Sequence, residues 1–167
     1  MPALTIPAYI DYFKAKATAI KAINYLEDAT KPSFVDESEF FHKMENGLKY
    51  PCLHVEYPDI NPTNNGAENY RDVMQCAFTV WVKYDTKKHS ATYPLALQKS
   101  RDIARTILAQ MRKDDADISS TIANMFDIEN VQPLQNVTQE AMGITGYRVL
   151  FNLDTHINLA VNSSELI

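Results

Sequence analysis

The sequence predicts an α+β fold in two layers, in which helices pack on one face of a four-stranded antiparallel sheet. Segments with helical and with alternating periodicity follow one another in the order α-β-β-α-β-β, plus one extra short helix. The chain has 167 residues, 46% of them hydrophobic and 22% charged, which is ordinary for a globular protein with one core. Helices on one face of such a sheet form a standard two-layer arrangement.

Length predicts a single domain over residues 1–167, with a core at about 6–156 and a C-terminal segment at 157–167. A chain of this size buries enough surface to fold without a disulfide or metal. Cys52 and Cys76 make a poor disulfide framework and fit a reducing compartment. The net charge of −5 argues against a protein that coats DNA through a broad basic surface. No apolar run approaches the ~20 residues that span a bilayer, so we expect no membrane partner.

Three segments are predicted to be helices. The first runs from about Pro7 to Asp28, and a short second one from Asp36 to Asn46, opened by Asp36 or Ser38. The third runs from about Tyr93 to Lys113. The apolar stripe of the first helix consists of Ile6, Ile10, Phe13, Ala17, Ile20 and Ile23.

Four segments are predicted to be strands. Tyr50–Tyr57 is apolar on both faces, and a long strand through Cys76–Tyr84 alternates apolar and polar residues. A terminal hairpin has arms at Val131–Thr138 and Tyr147–His156, with Gly143 and Gly146 in its turn. The stretch Pro58–Asn69 is rich in proline and asparagine and is predicted to be a long loop, of the kind that is usually functional or disordered.

Two groups of side chains have the composition of metal ligands. Cys52 and His54 share one side of a strand, and Cys76 on the neighbouring strand would complete a zinc set, although the usual paired spacing is absent. Ordinary core packing is the favoured interpretation of the cysteines. The acidic run Asp114, Asp115 and Asp117 lacks the spacing of a calcium site, which favours a solvated turn. We therefore predict no metal and no cofactor.

No catalytic motif is visible in the sequence. It has no serine flanked by the required glycines, no evident partners for a nucleophilic cysteine, and no glycine loop for phosphate. A triad assembled from distant positions stays open, but an enzyme is not the expected function.

Arg101, Arg105 and Arg112 form the most informative polar pattern. At 100° per residue they fall within about 40° of one another, beside the apolar arc of the third helix. One interpretation is a solvated edge whose arginine stems cover the core. The other is an interface row that pairs with carboxylates on another chain, because the planar guanidinium binds carboxylates in a rigid fork.

Several apolar residues lie where a monomer offers them little to pack against. Ile60 is stranded in the predicted loop, and Met142 and Ile144 lie at the predicted hairpin tip, Gln139–Gly146. Leu166 and Ile167 end the chain after its last element. We predict that these residues, with the arginine row, contact other chains.

The element order resembles that of a viral family, the tail terminator and tail-completion proteins of tailed bacteriophages with the related neck and connector ring proteins. The resemblance covers about Ile6 to His156 as a pattern of elements. It is carried by the segments Tyr50–Glu56, Cys76–Tyr84, Leu95–Lys113 and Gly146–Phe151. The family is defined by topology and size, so no functional residue is transferred from it.

The resemblance implies a structural virion protein, not an enzyme, that forms a homo-oligomeric ring, commonly hexameric. Such a ring assembles in the bacterial cytoplasm, lies at the head–tail junction or tail end, and contacts neck, portal or tail-tube proteins. Its central opening passes DNA without reading sequence. The alternative is a ferredoxin-like module that binds a small ligand or has a regulatory role, since that fold hosts many functions.

Overall fold

The computed structural model describes residues 4–27, 29–44, 47–64 and 70–156, which form mixed α+β structure. Within these ranges there are three α-helices and one sheet of six strands. The helices are α1 (Ile6–Ala19), α2 (Glu37–Lys43) and α3 (His89–Asp115). The strands are β1 (Phe34–Asp36), β2 (Cys52–Val55), β3 (Asp59–Asn64), β4 (Tyr70–Lys83), β5 (Gln135–Gln139) and β6 (Ile144–His156).

The sheet has the order β1-β2-β4-β6-β5, and β3 also pairs with β4. Strand β1 runs parallel to β2, and every other pair is antiparallel. The predicted four-stranded antiparallel sheet is therefore wrong in strand number and in strand direction. The predicted element order α-β-β-α-β-β is also wrong, because β1 precedes α2 and β3 is inserted between β2 and β4. The α+β class is confirmed.

Strand β3 lies where a loop was predicted. Val55 pairs with Phe78, and Asp59 pairs with Gln75, so β2 and β3 run along the same side of β4. Glu56 N donates to Ala77 O (3.0 Å), which leaves two residues, Tyr57 and Pro58, opposite one residue of β4. This extra residue is a β-bulge, and the two strands form one bent arm of a long hairpin with β4.

Helix α1 begins where the sequence predicts and ends earlier. Thr5 caps it by accepting a hydrogen bond from Ala8 N (3.3 Å), and Pro7 suits the first turn. It ends at Ala19 instead of continuing to Asp28, and Asn24 has a positive φ of 48° in the turns that follow. Ile20 and Ile23 are still buried, because those turns fold back over the core.

Helix α3 is longer than predicted at both ends and lies across β4 and β6. The hydroxyl of Ser100 donates to Val80 O (2.6 Å) and accepts from Tyr147 N (2.8 Å). Val80 and Tyr147 are register partners, so one side chain fixes the middle of the helix above this strand pair.

The main core lies between the sheet and the layer of α1 and α3. Phe13 is its centre, with ring centroids of Tyr9, Tyr12, Phe78 and Phe151 between 5.1 and 6.0 Å away. Edge-on and tilted aromatic pairs of this kind add to the apolar burial. The core also takes Ala104, Ile107 and Met111 from α3.

Helix α2 packs against the opposite face of the sheet. Its single buried residue, Phe40, joins a second cluster with Val35, Cys52, Trp81 and Ile144. The prediction that the helices share one face thus fails for α2. Its N-terminus was predicted correctly, since Asp36 accepts hydrogen bonds from Ser38 N (3.0 Å) and Glu39 N (3.2 Å).

The terminal hairpin is present with a tighter turn than predicted. Gly143 has φ 63° in the short turn between β5 and β6, as a turn glycine should. Gly146 lies inside β6 instead, opposite Trp81. A Cβ there would lie 2.2 Å from Val80 O, so glycine is required by the close approach of β4.

Candidate interaction surfaces

The arginine row lies on the rim of α3. Arg101 is half-buried, and its Nε is shielded from solvent without a hydrogen-bond partner among the described residues, whereas Arg105 and Arg112 are exposed. None of the three makes an ion pair with a described residue. A donor that is shielded and unbonded costs free energy, so this position of the Arg101 side chain is not favoured by contacts among the described residues.

The row lies beside the side of α3 that faces the end of α1 and is centred away from it. A cavity between the end of α1 and α3 is lined by Ile20 and Ala22 on one side and by Lys99 and Thr106 on the other. At 100° per residue, Arg101 lies roughly 160° from Lys99 and roughly 60° from Gln98, which also lines the cavity. Because α1 packs beside β1 and β2, the row lies on the flank of the molecule that carries β5.

A groove lies at the other edge of the sheet, between α1, β1 and α2. It has a volume of about 510 Å³, and carboxylates outnumber lysines along it by four to two. Lys14 pairs with Glu27, and Lys43 with Glu39 (2.8 Å). That leaves two carboxylates without a lysine or arginine partner among the described residues, Asp11 and the helix-capping Asp36.

The face under α2 buries polar rings that lack partners. His54 is 7% exposed and stacks on Phe40 with ring centroids 4.0 Å apart, and Phe40 also stacks on Trp81 at 5.7 Å. Both His54 nitrogens and Trp81 Nε1 are buried without a hydrogen bond to any described residue. Burial lowers the pKa of His54 to about 4, against the opposing charges of Glu56, Glu37 and Asp36, while Arg148 lowers it further. His54 is therefore neutral at pH 7.

The three residues considered for zinc do not meet. Cys52 and His54 lie on the α2 face, whereas Cys76 lies in the main core on the other face. Burial raises the pKa of both thiols, that of Cys76 to about 12. Both cysteines are buried and form no disulfide with each other, as core packing predicts.

The acidic run has structural contacts. Asp114 accepts a hydrogen bond from the Tyr12 hydroxyl (2.7 Å) and pairs with Lys16, so it ties the end of α3 to α1. Asp115 accepts from Phe126 N (2.8 Å), and Asp117 bonds Ser119 in a local turn. In the described ranges no three acidic, histidine or cysteine side chains are placed to hold a metal.

The apolar residues predicted to contact other chains differ in their exposure to solvent. Ile60 is 45% exposed on β3, at a sheet edge, as an interface residue would be. Ile144 is 1% exposed within the cluster under α2, and Met142 packs partly against it, so packing within the subunit explains their apolar character. Leu166 and Ile167 lie outside the described residues.

Two surfaces gave no local signal in the sequence. The acidic groove takes its side chains from α1, from the turns after it and from α2, which only the fold brings together. The cavity between α1 and α3 is likewise assembled from distant segments, with a volume of about 420 Å³ and with Leu95, 70% exposed, at its rim. No described helix is both long and apolar enough to cross a bilayer.

Neither a scan against protein-family models nor a search of curated proteins found a match to this chain.

Proposed function

We propose that this chain is a structural subunit of a tailed-bacteriophage virion, which forms a homo-oligomeric ring at the head–tail junction or tail end. The size of the chain and its α+β class support the family, while the element order differs from the one on which the resemblance rests. The observation that carries the oligomer is the arginine row, because three guanidinium groups on one side of α3 make no ion pair with a described carboxylate. A second copy supplies what is missing.

The ring acts mechanically. Each subunit presents a stiff sheet, in which β4 and β6 pair over thirteen residues, and exposes Ile60 on the edge strand β3. Such a subunit can hold a fixed angle to its neighbours while neck, portal or tail-tube proteins bind its outer surfaces. DNA passes through the opening without sequence-specific contacts, in line with the net charge of −5.

The experiment is the mass and shape of the purified full chain. We expect light scattering after gel filtration to give six or more copies, and negative-stain images to show closed rings with a central opening. A monomer or a simple dimer at all concentrations would overturn the proposal.

One observation favours the alternative, a small-ligand module. The cavity between α1 and α3 falls within the ~300–1,000 Å³ of ligand pockets, and buried Ile20 and Ile103 line it. A dimer whose thermal stability rises with a small apolar ligand, and which loses that rise when Ala22→Trp fills the cavity, would support the alternative over the ring.

A further inference from the structure

The two flanks of the sheet carry opposite charges that the chain does not neutralise by itself. On the β5 flank, Arg101, Arg105 and Arg112 lack carboxylate partners among the described residues. On the β1 flank, the groove of about 510 Å³ has an excess of carboxylates, including Asp11 and Asp36. The basic row and the acidic groove are complementary in charge.

We infer that the arginine row of one copy docks into the acidic groove of the next copy. This inference rests on the proposed ring and names the two surfaces that close it. Since row and groove lie on opposite flanks, each copy uses a different surface toward each neighbour. Such a heterologous contact generates a ring when its rotation closes, whereas a two-fold contact would stop at a dimer.

The chemistry of the contact follows from the side chains. The guanidinium group of Arg101 can bind a carboxylate through two parallel hydrogen bonds, which a lysine cannot do. Asp11 is exposed and makes no ion pair with a described residue, so it is the first acceptor. Glu39 lies exposed in the same groove and can exchange Lys43 for an arginine.

Two charge-reversed chains test the contact. The first is Arg101→Glu with Arg105→Glu, and the second is Asp11→Lys with Glu39→Lys, which leaves the capping residue Asp36 intact. Each alone places like charges across the contact, so we expect the concentration for half-assembly to rise about tenfold or more at moderate salt. Circular dichroism should show both folded.

Mixing is the decisive measurement. In a one-to-one mixture, the acidic row of the first chain can face the basic groove of the second, and the basic row of the second can face the acidic groove of the first. Alternating assemblies of wild-type mass should therefore return. The matched control is Lys99→Glu with Lys113→Glu, which makes the same charge change on α3 outside the row and should assemble normally.

The outcomes separate the two proposals. The row-and-groove contact is overturned if both reversed chains still form rings of wild-type mass. It is also overturned if the reversed chains stay dissociated when mixed. Either result leaves the proposed ring itself intact. A wild-type chain that forms no closed oligomer would overturn both. Recovery on mixing, with no effect of the control, supports the contact.

Discussion

The face of the sheet under α1 and α3 is filled by aromatic and aliphatic side chains, whereas the face under α2 buries His54 and Trp81 without partners for their ring nitrogens. Apolar groups gain from leaving water, but an unbonded polar atom loses its hydrogen bonds to water and gains none. Burial on the first face therefore stabilises the fold in full. On the second face, the unbonded ring nitrogens offset part of the free energy gained by burial.

The helices that cover the two faces of the sheet also differ in how firmly they are packed. Helix α3 has 27 residues and is anchored by Ser100, while α2 has seven residues and one buried side chain. A segment that makes few buried contacts opens at a low cost in free energy. We expect α2 to open before the main core does.

The same substitution on each face should have different costs. Phe13→Ala removes the centre of the main core and should lower the free energy of unfolding by about 3–5 kcal/mol. Phe40→Ala should lower it by only about 2 kcal/mol, because water then reaches the nitrogens of His54 and Trp81 and offsets part of the lost burial. Urea unfolding measures both.

Phe41→Ala is the control for this pair, since Phe41 is 71% exposed and should change stability by less than about 0.5 kcal/mol. Equal losses for Phe13→Ala and Phe40→Ala would show that the two faces are packed equally well.

The pH dependence of stability should come from the α2 face. Between pH 6.5 and about 4 the unfolded chain protonates His54 while the folded chain keeps it neutral, so stability falls as pH falls through this window. The full loss is roughly 3 kcal/mol by linkage. His54→Gln should flatten this slope, and His89→Gln, at an exposed site, should not.

Trp81 offers a direct probe of the same event. It is the one tryptophan of the chain and stacks beneath Phe40. Its emission should shift to longer wavelength on acidification before the far-ultraviolet circular dichroism changes. If both signals change together at every pH, α2 does not open separately.

Sequence patterns were most reliable where one face was fully buried. The alternation in β4 and the apolar arc of α3 were recognised because many residues repeat one period. Strand β1 has only three residues, which is too few for an alternating pattern of apolar and polar residues to be recognised. Strand β3 contains Pro62, which lacks a backbone N–H and is tolerated there because β3 is an edge strand that pairs only with β4.

The interaction surfaces were predicted in part. The arginine row was visible because its members share one helix face. The groove was not, because Asp11 and Asp36 are brought together only when α1 and β1 pack. The prediction that Ile144 lies at the hairpin tip is wrong because the predicted turn extends to Gly146. Gly146 is instead a strand residue, at which a side chain would clash with the carbonyl of Val80.

Ser100 gives the smallest and most local test of the well-packed face. Its hydroxyl occupies both Val80 O and Tyr147 N, so Ser100→Ala leaves a buried carbonyl and a buried amide without this partner. The expected loss is about 1–2 kcal/mol, within the range for a buried hydrogen-bonding group. Amide exchange should accelerate at Tyr147, whereas Ser90→Ala, at an exposed site on α3, should leave it unchanged. If Ser100→Ala is neutral and Tyr147 stays protected, β4 and β6 close their own ladder, and α3 is held in place by apolar contacts alone.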